Sequence, residues 1–267
     1  MNPTVFSKYL KRDSVAISLV VIRRVVLFFI VGTFHINAGS EPLPVITLHY
    51  YERPPFHYRA ADGSMAGIIA SSTESIFKRA GITYRWELTP VNRILADLKN
   101  NNRMDCSPGW YKTAEREAYA QFSLPIYHDL PLQGLSRNDF PAPEGITAKD
   151  LFLRHDLRLL LKQNFSQGAY MDALISTMPT QQVQQVTVEV PTMVKMIKAN
   201  RADLIITTEE ETDYFIAQSG YQKQDFRILK FPDVKATEYR YILCSRQVPA
   251  QIINRLNDAI RSAGTNK

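Results

Sequence analysis

From Val45 to Tyr51 the chain reads VITLHYY, a strand-length run of β-branched and aromatic residues. Arg53-Pro54-Pro55-Phe56 stops it in a rigid turn. Ala61-Asp62-Gly63-Ser64 is a turn signal, and from Ile68 to Arg79 the residues Ile69, Thr73, Ile76 and Phe77 recur at helical spacing until Gly81 closes the helix. A second strand follows over Ile82 to Leu88 and a short helix over Asn92 to Leu98, carried by Ile94, Leu95 and Leu98. Met104-Asp105-Cys106 then opens a third strand that runs into Pro108-Gly109. The same order returns downstream. Leu157 to Leu161 reads as strand, Gly168 to Ser176 as helix, Gln184 to Val188 as strand, Thr192 to Asn200 as helix and Leu204 to Thr207 as strand. Strands alternating with helices predict parallel sheets, here two α/β lobes of similar design. Phe122 to Tyr127 lies between the two series, and Phe231-Pro232-Asp233 leads into Tyr239 to Leu243 and a closing helix from Pro249 to Ser262. Neither a sequence repeat nor a low-complexity linker separates the halves.

A chain of 267 residues suffices for one large domain or two modest ones, and 45% apolar with 22% charged residues is an ordinary globular composition. The formal charge of +6 invites a nucleic-acid reading until its position is considered. Residues 1–38 hold five of the 32 Lys and Arg and one of the 26 Asp and Glu, which leaves 27 cations against 25 anions, or +2, in the remainder. There the charges alternate in sign, as from Lys112 to Glu117, so the cationic surface that nucleic acid requires is lacking and no nucleic-acid partner is expected.

The ten residues from Val25 to Phe34 are almost wholly apolar, preceded by Arg23-Arg24 and followed by polar His35 to Ser40. This is the form of a secretory signal, expected to occupy residues 1–38 and to be cut after Ala38. The longer stretch from Val15 is broken by the two arginines, which are costly at mid-membrane. The first cysteine is Cys106, so no lipid anchor near the cut is expected. Export would permit a Cys106–Cys244 disulfide; both lie in apolar, strand-like runs, and two buried thiols are the preferred reading.

Signatures of catalysis and metal binding are missing: GxSxG, HExxH, CxxC and GxxxxGK do not occur, and His35, His49, His57, His128 and His155 are scattered. Glu209-Glu210-Glu211 with Asp213 could supply acid–base groups, yet acids opening a helix normally compensate its dipole. No metal, cofactor or catalytic residue is expected.

The most informative constellation is Gly109-Trp110-Tyr111-Lys112-Thr113-Ala114-Glu115-Arg116, followed by Phe122-Ser123-Leu124-Pro125-Ile126-Tyr127. With Tyr51 to Phe56, Asp62-Gly63, Gly67, Pro90-x-x-Arg93, Met104-Asp105, Ser166-x-Gly168 and Asn200 to Ile205, it resembles the extracellular solute-binding proteins of family 3, receptors of polar amino acid ABC importers. The resemblance implies two Rossmann-like lobes joined by two crossover strands, the periplasmic binding protein-like II fold, with ligand held in the cleft between them. It places lobe I at 39–128 and 237–267 and lobe II at 129–236. It also implies a monomeric periplasmic receptor that delivers a small, carboxylate-bearing ligand to an ABC permease in the inner membrane. The alternatives are a ligand-sensing module for a membrane partner and a dehydratase-like enzyme.

By the same resemblance Arg116 grips the ligand carboxylate, a task for which the planar guanidinium fork is suited. Gly109, Tyr111 and Thr113 share its loop, with Tyr111 replacing a small hydroxyl residue, and Tyr51 joins them. Trp110 either stacks on ligand or packs. Arg53 stands where many relatives have an aromatic, and is either a second positive group in the cleft or a rim arginine. Ser166, with Asn164 and Gln167, matches a ligand-binding loop at a helix N-terminus. The acid that receives an α-amino group in amino acid receptors falls on Thr208 here, with Glu209 adjacent, so specificity for an α-amino acid does not carry over.

Overall fold

The computed structural model of the protein describes residues 44–236 and 238–264. The expected leader and its cut after Ala38 lie outside them. VITLHYY supplies β1 (Ile46–Tyr50), buried along its whole length. The turn after it leads into a small hairpin of β2 (Tyr58–Arg59) and β3 (Met65–Ala66). Helix α1 (Ile68–Ala80) ends where expected, because Gly81 adopts the left-handed conformation that closes helices at little steric cost. Then come β4 (Tyr84–Leu88), α2 (Val91–Asn100), β5 (Asp105–Tyr111), α3 (Ala114–Tyr119) and β6 (Ala120–His128).

The first sheet has the order β4-β1-β5-β12-β6, in which β12 (Tyr239–Ser245) comes from near the far end of the sequence. Strand β1 runs parallel to β4 and β5, whereas β12 runs antiparallel to β5 and β6. The expectation of parallel sheets is thus corrected to mixed ones. Strand–helix alternation describes only consecutive elements, and a strand returning from a distant insertion is free to enter in either direction.

The second sheet has the order β11-β7-β10-β8-β9. Its strands are β7 (Leu132–Arg137), β8 (Leu159–Lys162), β9 (Val183–Val186), β10 (Leu204–Thr208) and β11 (Phe226–Lys230), with β7 antiparallel to both neighbours. Between them lie α4 (Ala148–Phe152), α5 (Ala169–Ser176), α6 (Val190–Lys198) and α7 (Glu209–Gln218). Helix α6 begins two residues before the expected Thr192. Pro191 sits in its first turn, where the missing N–H costs no helical hydrogen bond.

The period-two pattern distributes each sheet's apolar side chains between two cores. Leu159, Leu161 and Leu204 pack on α4 and α5 through Leu151, Phe152 and Met171, whereas Leu160 and Ile205 pack against Met193, Val194 and Ile197 of α6 and Phe215 of α7. In the first sheet Ile46 and Leu48 face α1 and the closing helix α8 (Ala250–Gly264), while Tyr51, Trp110 and Leu243 face Ile94 and Leu98 of α2. Burial of each large apolar side chain contributes about 1.5–3 kcal/mol.

The chain leaves the first sheet after β6 and returns to it at β12, and these two strands are paired neighbours, so both crossings depart from the same edge. Cys106 and Cys244, which face each other in the β5–β12 register, form a disulfide. This corrects the expectation of two buried thiols. Antiparallel pairing set the distance, which no reading of spacing 138 residues apart could supply. Among the described residues no helix is long and apolar enough to cross a membrane.

Candidate functional site

The two sheets meet around a cavity with roughly 880 Å³ of empty space, part of it open to solvent. Of the residues singled out in the sequence, Tyr51, Arg53, Gly109, Trp110, Tyr111, Arg116, Ser166, Gln167 and Thr208 line it; Thr113, Asn164 and Glu209 do not.

Arg116 is held by its own loop. Thr113 caps α3 by accepting the Arg116 backbone N–H at 3.3 Å, so it positions the arginine from behind the cavity wall. The Arg116 guanidinium donates to the Tyr111 carbonyl at 2.8 Å and, across the gap between the sheets, to the Asn164 carbonyl at 3.1 Å. It stacks over the Trp110 ring at 4.8 Å, while that indole donates to Ser107 Oγ at 2.8 Å. Arg116 is only 6% exposed, yet none of the described carboxylates lies within ion-pair distance of it. Burial accordingly lowers its pKa.

The cavity's other cations are all paired. Arg53 crosses to the second sheet and forks onto Glu211, with Nε at 2.5 Å from Oε1 and Nη2 at 2.9 Å from Oε2. Burial opposes the Arg53 charge, but Glu211 together with Tyr51 more than offsets it and the net pKa shift is upward. Glu211 is 1% exposed and also accepts the Thr208 hydroxyl at 3.0 Å. Arg240, 3% exposed, donates to Asp129 Oδ1 at 2.7 Å and to the Gly109 carbonyl at 3.0 Å, and the Tyr111 hydroxyl donates to the other Asp129 oxygen. Burial, with the Asp129 charge, pushes the Tyr111 phenol upward, which keeps it a neutral donor. Lys162 bonds Glu189 at 2.5 Å, although the Glu189 side chain is mostly in solvent.

Gly109 has φ +89°, a conformation that side chains other than glycine rarely adopt, and it lets β5 turn its carbonyl onto Arg240. His57 packs beside it and bonds the Tyr51 carbonyl through Nδ1 at 2.7 Å. Burial, then the charge of Arg53, pushes its pKa down to about 3. The start of α5 is occupied by the protein's own acids: Glu238 accepts the Ala169 N–H at 3.1 Å, and Asp172 accepts the Gln167 N–H at 2.7 Å and the Ser166 hydroxyl. Glu209 lies outside the cavity and pairs with Lys230 at 3.2 Å, while Asn164 ties the sheets through Asn92 at 2.8 Å.

Sequence reasoning did not single out Arg240, Asp129, Lys162, Phe165 or Glu211 as ligand-facing groups. One signal existed: Thr208-x-x-Glu211 is the pattern of an N-cap with an acid three residues on, which folds Glu211 back toward the cavity end of α7. Arg240 carried none, since it is a single inward charge in an apolar strand. Among the described residues no group of three or more His, Cys, Asp or Glu is arranged to hold a metal.

Residues 46–174 match the family described as bacterial extracellular solute-binding proteins, family 3, the resemblance drawn from the motifs. No curated protein matches the sequence. Solved structures share the fold. The arginine-, lysine-, histidine-binding protein ArtJ of Geobacillus stearothermophilus aligns with TM-score 0.65 and 16% identity over 83% of this chain and 90% of that one. An ABC uptake transporter substrate-binding protein of Streptococcus pneumoniae, solved with bound histidine, aligns with TM-score 0.62 and 19% identity over 83% and 87%. A histidine kinase sensor domain similar to periplasmic binding proteins aligns with TM-score 0.64 and 17% identity over 84% and 93%.

Proposed function

We propose that this chain, a family 3 solute-binding protein over residues 46–174, is an extracytoplasmic receptor that captures a small carboxylate-bearing ligand between its two sheets and hands it to an ABC permease. Arg116 carries the reading: a guanidinium withdrawn from water, stacked on Trp110 and bonded only to carbonyls, retains donor capacity and charge for an anion in the cavity. Ligands named for the structural neighbours, arginine, lysine and histidine, all bear a carboxylate and so support the class. Closure of the lobes, 39–128 with 237–267 against 129–236, would bury the ligand and present a new surface to the permease. We place the working protein in the periplasm, as a monomer released from its leader after Ala38.

A thermal-shift screen of carboxylates tests this. A ligand at a hundredfold its Kd stabilises by about 2.7 kcal/mol. Arg116→Ala should weaken binding by about 2–5 kcal/mol, since the ligand carboxylate would be left buried without its partner. A hit indifferent to Arg116→Ala refutes the anchor.

A second reading, a sensor reporting to a membrane partner, is favoured by the kinase sensor domain among the neighbours. Uptake of the ligand separates the two: deletion abolishes transport for a receptor and leaves it intact for a sensor.

A further inference from the structure

We propose that Arg53 serves as a resident substitute for a ligand ammonium, so that the cavity takes a small organic monoanion with an apolar body and no α-amino group. This rests on the carboxylate-receptor reading and narrows its substrate class.

The argument starts from charge pairing. An α-amino acid presents both a carboxylate and an ammonium, and a site that pairs both charges offers a carboxylate able to accept the ammonium. Glu211 is the buried acid of the cavity, and Arg53 already uses both its oxygens through a bidentate fork. The Arg53 guanidinium is held on every side: Tyr51 Oη accepts from Nη1 at 3.3 Å, and the rings of Phe56 and Phe165 flank it at 5.3 Å each. Displacing it would leave a buried guanidinium without its counter-charge, the costly half of a broken ion pair.

The remaining acids offer no replacement. Glu189 is taken by Lys162 at the solvent rim, and Glu52 accepts the exposed Arg59 N–H at 3.2 Å through both oxygens. Asp129 is closed by Arg240 and Tyr111. Arg116 is then the one lining cation, among the described residues, without a carboxylate partner, and it matches a single negative charge. The second-sheet lining combines apolar Leu160, Met193, Ile205 and Phe215 with Ser166, Thr207 and Thr208, whose hydroxyls bond Asp172, Thr212 and Glu211. The apolar part of this lining fits an aliphatic or aromatic body, and the three hydroxyls beside it are already bonded within the protein.

Calorimetric titration with matched pairs tests the proposal: 4-methylpentanoate against leucine, 3-phenylpropionate against phenylalanine, and succinate against aspartate. We expect 4-methylpentanoate or 3-phenylpropionate to bind the unmodified protein at least tenfold more tightly than its amino acid. In Arg53→Met, which frees Glu211, that ratio should fall at least tenfold or reverse. A merely structural role for Arg53 would weaken both members of a pair alike and leave the ratio unchanged, which overturns the proposal. So does an amino acid binding the unmodified protein as tightly as its deaminated partner, or binding confined to the succinate–aspartate pair. In those cases Arg116-dependent carboxylate binding survives. If none of the six binds and the wider carboxylate screen is also blank, the receptor reading itself falls and this inference with it. The comparison on the unmodified protein stands even if Arg53→Met fails to fold.

Discussion

Removing Asp129 probes the two crossings directly. Asp129 follows β6, at the point where the chain leaves the first sheet, and Arg240 sits at the start of β12, where it returns. Their ion pair at 2.7 Å is buried on both sides, and the Asp129 backbone N–H also bonds the Glu238 carbonyl at 3.0 Å. Asp129→Ala leaves the Arg240 guanidinium buried with no counter-charge and with only neutral acceptors, the Gly109 carbonyl at 3.0 Å and the Tyr111 hydroxyl at 3.5 Å, stacked over Phe56 at 4.2 Å and Tyr111 at 4.8 Å. Breaking one partner of a buried pair costs about 3–5 kcal/mol, most of it the stranded charge rather than the lost attraction. For a domain of this size that lowers Tm by roughly 6–20 °C. Urea denaturation monitored by tryptophan fluorescence gives the free energy, and an unchanged slope confirms that the native state kept its compactness. The double variant Asp129→Ala with Arg240→Met removes the stranded charge, so it should recover at least half of the loss, a coupling well outside additivity. A single-variant cost under about 1 kcal/mol, or a double variant at the sum of the singles, would refute the assignment of this pair as a buried, mutually compensating unit.

Two further outcomes follow from groups near the same sheet. His57, with its pKa pushed down to about 3, remains neutral in the native protein while the unfolded chain takes up a proton below about pH 6.5. Its share of stability is therefore full above that value and declines as pH falls toward 3, by up to about 1.4 kcal/mol per unit, and His57→Gln should flatten this part of a stability–pH profile. Replacing Cys106 and Cys244 together by alanine should cost about 2–4 kcal/mol in chemical denaturation, and reductant should destabilise the unmodified protein but leave the double variant unchanged.

The elements that could be read from the sequence are those whose side chains repeat with a clear period. β1, α1, β8 and β10 carry uninterrupted apolar patterns and lie where that pattern set them, within a residue or two. Strand β6 was harder to see because Pro125 and register shifts opposite β12 break the alternation. The antiparallel entries of β7 and β12 depend on pairings with partners far along the chain, which local pattern does not encode. The same holds at the cavity. Arg116 was visible because a local motif surrounds it, and Thr113 proved to be that motif's cap rather than part of the wall. The partner of Arg53 was hidden because Glu211 lies 158 residues away and only folding brings it across. Arg240 and Asp129, 111 residues apart, were hidden for the same reason.

The disulfide alters what kind of object the chain is. Cys106 and Cys244 both belong to the first sheet, yet everything between them, including all five strands of the second sheet, lies on the stretch that the bond closes. Covalently, the molecule is a ring with two arms. A protease that cuts a loop of the second sheet opens the ring without dividing the molecule, so the fragments stay together until the bond is reduced. Because the clasp sits in one lobe while the ring encircles the other, the second lobe can shift or even unravel without its two attachment points drifting apart.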